Sequence, residues 1–244
     1  MNPLNAVVAV IRSYNNPAVV KQVNSLRSFL SRIVVVTDFQ RDRGATKAWL
    51  DEVNDPCVNL IEMSEGYSWA NALNRAIDYM QLFNAQRTSA GQFDYIFNVS
   101  VEARFEQEHV KQMIEKFDDS SIGVVGTTFR GTCEGNEVSL GLSYRHPRNT
   151  GMLVRLSAFS HRMTRDFDGF CDDVGGMEDI DFICRMEVFT EYKADVLDLR
   201  VPLIVGRHYN QTDKESRERA AMEKIFARYR TWQERISKVV EKFS

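Results

Sequence analysis

A short rhythm near the amino terminus constrains this chain more than any other feature. Ala6–Ile11 is an unbroken apolar, β-branched run, the pattern of a strand buried on both faces. It ends in the polar loop Arg12-Ser13-Tyr14-Asn15-Asn16. Asn16 followed by Pro17 signals a helix start, and Val19, Val23, Leu26 and Leu30 mark one helical face. Ile33–Val36 reads as a second buried strand, leading into Thr37-Asp38-Phe39-Gln40. A helix over Ala45–Val53 and a strand at Val58–Ile61 follow. Strand, helix, strand, helix, strand implies a parallel sheet joined by right-handed crossovers.

The pattern continues and then loosens. Trp69, Leu73, Ala76, Ile77 and Met80 share a helical face, which places Trp69 at least partly in the core. Phe93–Phe97 is the next strand, Val110, Met113, Ile114 and Phe117 the next helix face, and Ile122–Val125 another strand. From about Gly131 to Arg155 short strands and loops take over, with Leu153-Val154 and Val201–Val205 as strands of a mixed second half. Gly175-Gly176 makes a turn, and Glu178, Asp179 and Asp181 then open a helix in which Asp181 precedes Arg185 by four residues. Met222, Ile225, Phe226, Tyr229, Trp232, Ile236, Val240 and Phe243 predict a long amphipathic C-terminal helix. The whole is an α/β fold with a mostly parallel mixed sheet flanked by helices.

Charge and composition narrow the function. A net charge of −3 argues against nucleic acid as a partner. With 43% hydrophobic and 27% charged residues, the 244-residue chain reads as an ordinary globule with ample core. Its four cysteines show no CxxC spacing, which fits reduced thiols in the cytoplasm. Met1-Asn2-Pro3-Leu4 lacks the basic and apolar regions of a signal peptide, and no run spans a bilayer. The expectation is a soluble cytoplasmic protein, with the C-terminal helix as the one element suited to a membrane surface.

In an open parallel sheet, ligands bind at the carboxyl ends of strands. The loops Arg12–Asn16, Thr37–Gln40 and Asn98–Arg104 are therefore the candidate site. GxGxxG, GxxxxGK[ST] and GxSxG are all absent, so a nucleotide here would be held by side chains and a metal. Acids in the first turn of a helix also have a structural role, since they complement its dipole. Asp38 can equally cap the helix that follows it. His109, His146 and His161 read as structural or solvated.

Taken in order, these motifs resemble the nucleotide-sugar glycosyltransferases of the GT-A fold, most closely family 2, from about Val7 to His208. Ser13-Tyr14-Asn15 matches the loop after the family's first strand, and Asp38 stands for one acid of the pair that holds the base. Ala72-Leu73-Asn74-Arg75 matches an Ala-Arg-Asn helix with the arginine displaced. The metal-chelating Asp-x-Asp aligns with Ser100 and Glu102, so the first aspartate is replaced. Asn149-Thr150-Gly151-Met152, Asp168-Gly169-Phe170 and Glu178-Asp179 follow in the family's order, and His208 matches a metal ligand of some members.

The resemblance implies an inverting transfer of a sugar from a nucleoside diphosphate, UDP favoured, to an acceptor hydroxyl. Asp179 is the implied general base, with Glu178 orienting hydroxyls. Tyr14, Arg12, Asp38, Asn74 and Ser100 are implied at the nucleotide, and Glu102 and His208 at a Mn²⁺ or Mg²⁺ ion. The acceptor is a glycan, a lipid-linked molecule or a small molecule, met by the irregular Gly131–Arg148 region. A single domain is expected: a nucleotide-binding half over about 1–127, an acceptor and catalytic half over about 128–212, and a C-terminal helix over about 213–244. Two other readings stand beside it. One is a transferase that replaces the metal with arginines such as Arg12 or Arg207. The other is a degenerate member that binds a nucleotide sugar or glycan without turnover.

Overall fold

The computed structural model describes residues 2–88, 91–133, 136–138, 150–160, 178–204 and 219–231. A short 3-10 helix, Pro3–Ala6, leads into β1 (Val7–Arg12), every residue of which is buried. Then come α1 (Ala18–Leu26), β2 (Ile33–Asp38), α2 (Phe39–Asp42), α3 (Ala45–Val53), β3 (Val58–Met63), α4 (Trp69–Ala85), β4 (Tyr95–Val99) and α5 (Gln107–Glu115). The second half holds β5 (Ile122–Cys133), β6 (Asn136–Val138), β7 (Gly151–Arg155), α6 (Ser157–Ser160), α7 (Glu178–Phe189) and β8 (Lys193–Ile204). A last helix, α8, covers 219–231. The rest of the expected C-terminal helix lies outside the described residues.

The described strands form one sheet in the order β3-β2-β1-β4-β7-β5-β6, with β8 also paired to β5. The β3-β2-β1-β4 half is parallel, as is β5 with β8, whereas β7 runs antiparallel between β4 and β5. The chain leaves β1 towards β2 and β3, then crosses back to place β4 on the other side of β1. That reversal is the point at which open α/β sheets leave a crevice at their carboxyl edge.

Alternation along β1 divides the core. Val7, Ala9 and Ile11 pack with residues of α1, α3 and α5, while Val8 and Val10 pack with α4 and α7. Each such side chain contributes roughly 1.5–3 kcal/mol on burial, which makes β1 the centre of the fold.

Three differences from the sequence reading have physical causes. The fourth strand begins at Tyr95 rather than Phe93, because the Phe93 amide and carbonyl are both bound by the Asn84 side chain instead of a neighbouring strand. β5 and β8 are each 12 residues long, and β8 starts well before Val201. Its first half, Lys-Ala-Asp-Val-Leu-Asp-Leu, is only partly buried, so its hydrophobic pattern is weak. Trp69 is not in the core but 46% exposed at the start of α4.

Candidate functional site

The carboxyl ends of β1, β2 and β4 lie side by side, and the residues that follow them carry the candidate chemistry. Arg12 continues the alternation of Val8 and Val10, which points it to the α4 and α7 face. It is only 8% exposed, its guanidinium lies 4.3 Å from the centroid of the Trp69 ring, and Nη1 donates to the Trp69 carbonyl at 3.1 Å. Burial lowers its pKa to about 10, a shift opposed by Tyr67, Glu178 and Asp179. The acidic first turn of α7 is thus one of the influences that favour the charged form of Arg12.

That turn is buried in its turn. Glu178 is 6% exposed and Asp179 is 2% exposed, and Asp179 Oδ1 accepts the amide of Ile180 at 2.9 Å. The amino end of a helix favours negative charge, so both acids sit where the α7 dipole supports them. One turn on, Asp181 pairs with Arg185 at 2.8 Å and approaches Arg228 of α8 at 3.9 Å. Ile180 packs with Ala221 and Ile225, so α8 backs the acidic helix.

On the β2 side an aromatic pair forms a second cluster. Tyr14, 37% exposed, meets Tyr67 edge-on with ring centroids 5.9 Å apart, and the Arg41 guanidinium lies 5.6 Å from the Tyr14 ring. The Tyr67 hydroxyl is buried with no hydrogen-bond partner, and burial pushes its pKa to about 12 against the opposing charge of Arg12. Asp38 caps α2: Oδ1 accepts from the amides of Gln40 and Arg41, and Oδ2 pairs with Arg41 Nε at 3.2 Å. Its capping role is realised, and it stands beside the aromatic pair. Asn74 is half-buried in the second turn of α4.

Ser100 and Glu102 follow β4 in a tight turn. Ser100 Oγ lies 3.4 Å from Glu102 Oε2 and accepts the Glu102 amide at 3.3 Å. The turn is pinned on both sides: Ser100 N donates to Thr150 O, Arg104 N to Pro202 O, and Ile204 N to Glu102 O. His208 lies outside the described residues, as do Asn149, Asp168, Gly169, Phe170, Arg207 and most of 131–148. Among the described residues no group of three His, Cys, Asp or Glu side chains could hold a metal ion. No described helix is long and apolar enough to cross a membrane.

The structure thus brings Tyr14 to Asp38 through Tyr67 and Arg41, and Ser100 to Glu102, while the charges of Glu178 and Asp179 favour the charged form of Arg12. Sequence reasoning missed Tyr67, Arg41 and Asp42. Asp42 is buried and binds the Asn15 amide, and only its place four residues before Thr46 hinted at a local bond. His109 is structural, its Nδ1 accepting the Glu106 amide in a capping box. A cavity of about 840 Å³ opens at the opposite end of the sheet beside Asn84, Asp94 and Arg155. Arg155 is committed there to the carbonyls of Ile122 and Phe117, so the chemistry concentrates at the carboxyl edge.

No family model matches the chain, and no curated protein matches it in sequence. Solved structures do resemble it. A mannosyltransferase from Pyrobaculum calidifontis, in complex with GDP-Man and Mn²⁺, superposes with a TM-score of 0.67 at 14% identity over 91% of this chain. This chain spans 63% of that protein's length. TarS (residues 1–349) of S. aureus gives 0.57 at 15% identity, covering 92% of this chain and 73% of its own. GalNAc-T7 with UDP, GalNAc and Mn²⁺ gives 0.57 at 12% identity, covering 82% of this chain and 44% of its own. The chain has the GT-A fold, the architecture that its motif order implied.

Proposed function

We propose that the chain is a glycosyltransferase that moves a sugar from a nucleoside diphosphate to an acceptor hydroxyl. The observation that carries this reading is the buried pair Glu178 and Asp179 at the amino terminus of α7, whose charge favours the charged form of the buried Arg12 at the carboxyl end of β1. The sugar-nucleotide complexes of the neighbours support it. UDP is the favoured donor nucleotide, because Tyr14 offers an exposed ring and Tyr67 an unpartnered hydroxyl to a small base. Asp38 lies at the rim of that base site, Asn74 on the flanking helix, and Ser100 on the diphosphate side.

The turn after β4 fits a hard divalent ion in its donor chemistry, with one carboxylate and one hydroxyl oxygen 3.4 Å apart on one rigid loop. Glu102 would hold Mn²⁺ or Mg²⁺ with His208, which follows Ile204 by four residues. When bound, the ion neutralises charge on the departing diphosphate. Asp179 takes the proton from the acceptor hydroxyl as its oxygen bonds to the anomeric carbon, and Glu178 orients sugar hydroxyls. The bond to the diphosphate breaks on the opposite face, and the diphosphate leaves with the electron pair, so the configuration inverts. In this reading residues 1–127 are the nucleotide half, 128–212 the acceptor and catalytic half, and 213–244 the C-terminal segment, whose described part, α8, backs α7. The acceptor is a glycan, a lipid-linked molecule or a small molecule, and the site of action is the cytoplasm or a membrane surface.

Ser100, standing where the resemblance has a carboxylate, supports a second reading: a protein that binds a nucleotide sugar without turnover. One experiment separates the two. Thermal shifts with UDP, GDP, CDP and dTDP, each with and without Mn²⁺, choose the donor, since ligand at about 100 times its Kd adds roughly 2.7 kcal/mol. The matching nucleotide sugar is then given to wild type and to Asp179→Asn with a panel of acceptors. Transfer by wild type alone, with donor binding kept in the variant, supports the enzyme. Binding without transfer in either supports the second reading, and no nucleotide shift overturns both.

A further inference from the structure

A glutamine stands where the spacing of α1 calls for an apolar side chain. Gln22 shares the buried face of that helix with Val19, Val23 and Leu26 and is 1% exposed. An amide in such a place costs stability unless both of its ends are bonded. Among the described residues one end is: Gln22 Oε1 accepts Arg104 Nη1 at 2.8 Å, while Gln22 Nε2 has no partner. Arg104 lies 82 residues further on, in the turn after β4. Its Nη1 also donates to Val101 O at 2.7 Å and lies 3.4 Å from Ala103 O. These two carbonyls flank Glu102. Val101 and Ala103 are buried and Glu102 between them is exposed, so one guanidinium nitrogen gathers the inner side of the turn while Glu102 stays at the surface.

We infer that Gln22 and Arg104 are positioning residues: Gln22, rooted in α1, holds the guanidinium that closes the backbone around Glu102 and so fixes this carboxylate for the divalent ion. The inference rests on the reading of Glu102 as a ligand of that ion. The main-chain bonds of the turn run to Thr150, Pro202 and Ile204, at the start of β7 and the end of β8. The Gln22 bond adds a tie to a helix that packs on the sheet face, and α1 itself follows the loop that carries Tyr14. Arg104 forms no ion pair among the described residues, so its donors are given to the turn and to Gln22. A guanidinium suits this role, because it is planar, permanently charged and presents its donors in a fixed fork. An apolar residue at position 22 would pack as well and leave no orphaned amide, so the glutamine serves the turn rather than the core.

The test varies Gln22 rather than Arg104, whose charge interacts with that of Glu102 and would change ion binding directly. Gln22→Met keeps the length of the side chain and deletes the acceptor, whereas Gln22→Glu keeps the acceptor. Amide hydrogen exchange reads the turn without any ligand: Glu102 and Ala103 exchange about tenfold faster in Gln22→Met and at the wild-type rate in Gln22→Glu. In a Mn²⁺ titration at saturating UDP, half-maximal binding moves to about tenfold higher concentration in Gln22→Met and stays within about threefold in Gln22→Glu. Melting without ligand stays within about 2 °C of wild type in both, which separates the effect from a loss of core packing. No loss in Gln22→Met, or the same loss in Gln22→Glu, overturns the inference. Faster exchange with an unchanged Mn²⁺ response leaves the contact and overturns the positioning role. A wild type that binds no Mn²⁺ with UDP refutes the metal reading, and exchange then decides whether the clamp orders the turn. Arg104→Gln, read by exchange alone, serves should Gln22→Met fail to fold.

Discussion

The carboxylate of Asp42 accepts the main-chain amide of Asn15 at 2.6 Å and the amide of Thr46 at 2.8 Å, tying the loop after β1 to the α2–α3 junction. Asn15 is in the left-handed region, with φ 46°, beside the exposed Tyr14 ring. Its backbone costs about 1–2 kcal/mol, which the Asp42 bond helps to offset. Asp42→Asn leaves donors facing a donor and lowers stability by ~2 kcal/mol, read as a melting temperature lower by about 6 °C. Burial raises the Asp42 pKa, but bonds from Asn15 and Thr46 outweigh it and hold the net value below 3.8. A depressed carboxylate stabilises the fold above its unfolded pKa and loses that contribution as pH falls through the folded value. The gap between wild type and Asp42→Asn is therefore flat above about pH 5 and closes below about pH 4 in acid denaturation.

Tyr67 gives the opposite sign. Its hydroxyl is buried and unpartnered, so Tyr67→Phe leaves the unliganded protein as stable as wild type or more stable by about 1 kcal/mol. The same change weakens nucleotide binding, measured by calorimetry, if the hydroxyl meets the base. Because the folded pKa is raised to about 12 from 10.0, wild type is fully stable below pH 10.0 and loses stability as pH rises towards 12. Alkaline melting of the two proteins shows that loss in wild type only.

Gly151 matters for space rather than turn geometry. It pairs with Val99 at the end of β4, and a Cβ there would fall inside the van der Waals shell of the Phe105 ring. Phe105 cannot swing aside, being edge-on to Phe97 at 4.8 Å and to Phe129 at 6.1 Å. Gly151→Ala is expected to cost about 3 kcal/mol in chemical denaturation, at the top of the range for overpacking.

Glu102→Gln tests the metal separately from the base. It keeps the size of the side chain and removes the charge. The Mn²⁺ concentration giving half-maximal nucleotide binding should rise by roughly tenfold or more, while melting without metal stays within about 2 °C. An unchanged Mn²⁺ response would move the ion away from this turn.

Particular residues show how far the sequence could be read. The runs ending at Arg12 and Asp38 place both residues correctly, because a strand buried on both faces has a clear hydrophobic signature. The helix beginning at Glu178 was legible from the Gly-Gly pair before it, the acids that open it and the spacing of Ile180, Ile183 and Cys184. Tyr67 and Arg41 were not, since their roles arise from the meeting of two loops distant in sequence. Helical spacing puts Trp69 at least partly in the core because it records which face a residue is on, not whether another element covers it. β8 escaped because half-exposed strands in a mixed sheet carry mixed residues.

The turn from Ser100 to Arg104 contains no helix or named strand, yet Thr150, Pro202 and Ile204 bind its main chain from neighbouring segments. In amide hydrogen exchange it should behave like sheet, with Ser100, Arg104 and Ile204 among the slow sites. Preorganisation then becomes a matter of folding rather than of ligation. A charged group arriving at Glu102 meets a backbone whose conformational entropy was lost when the sheet closed, so more of the contact energy remains as affinity.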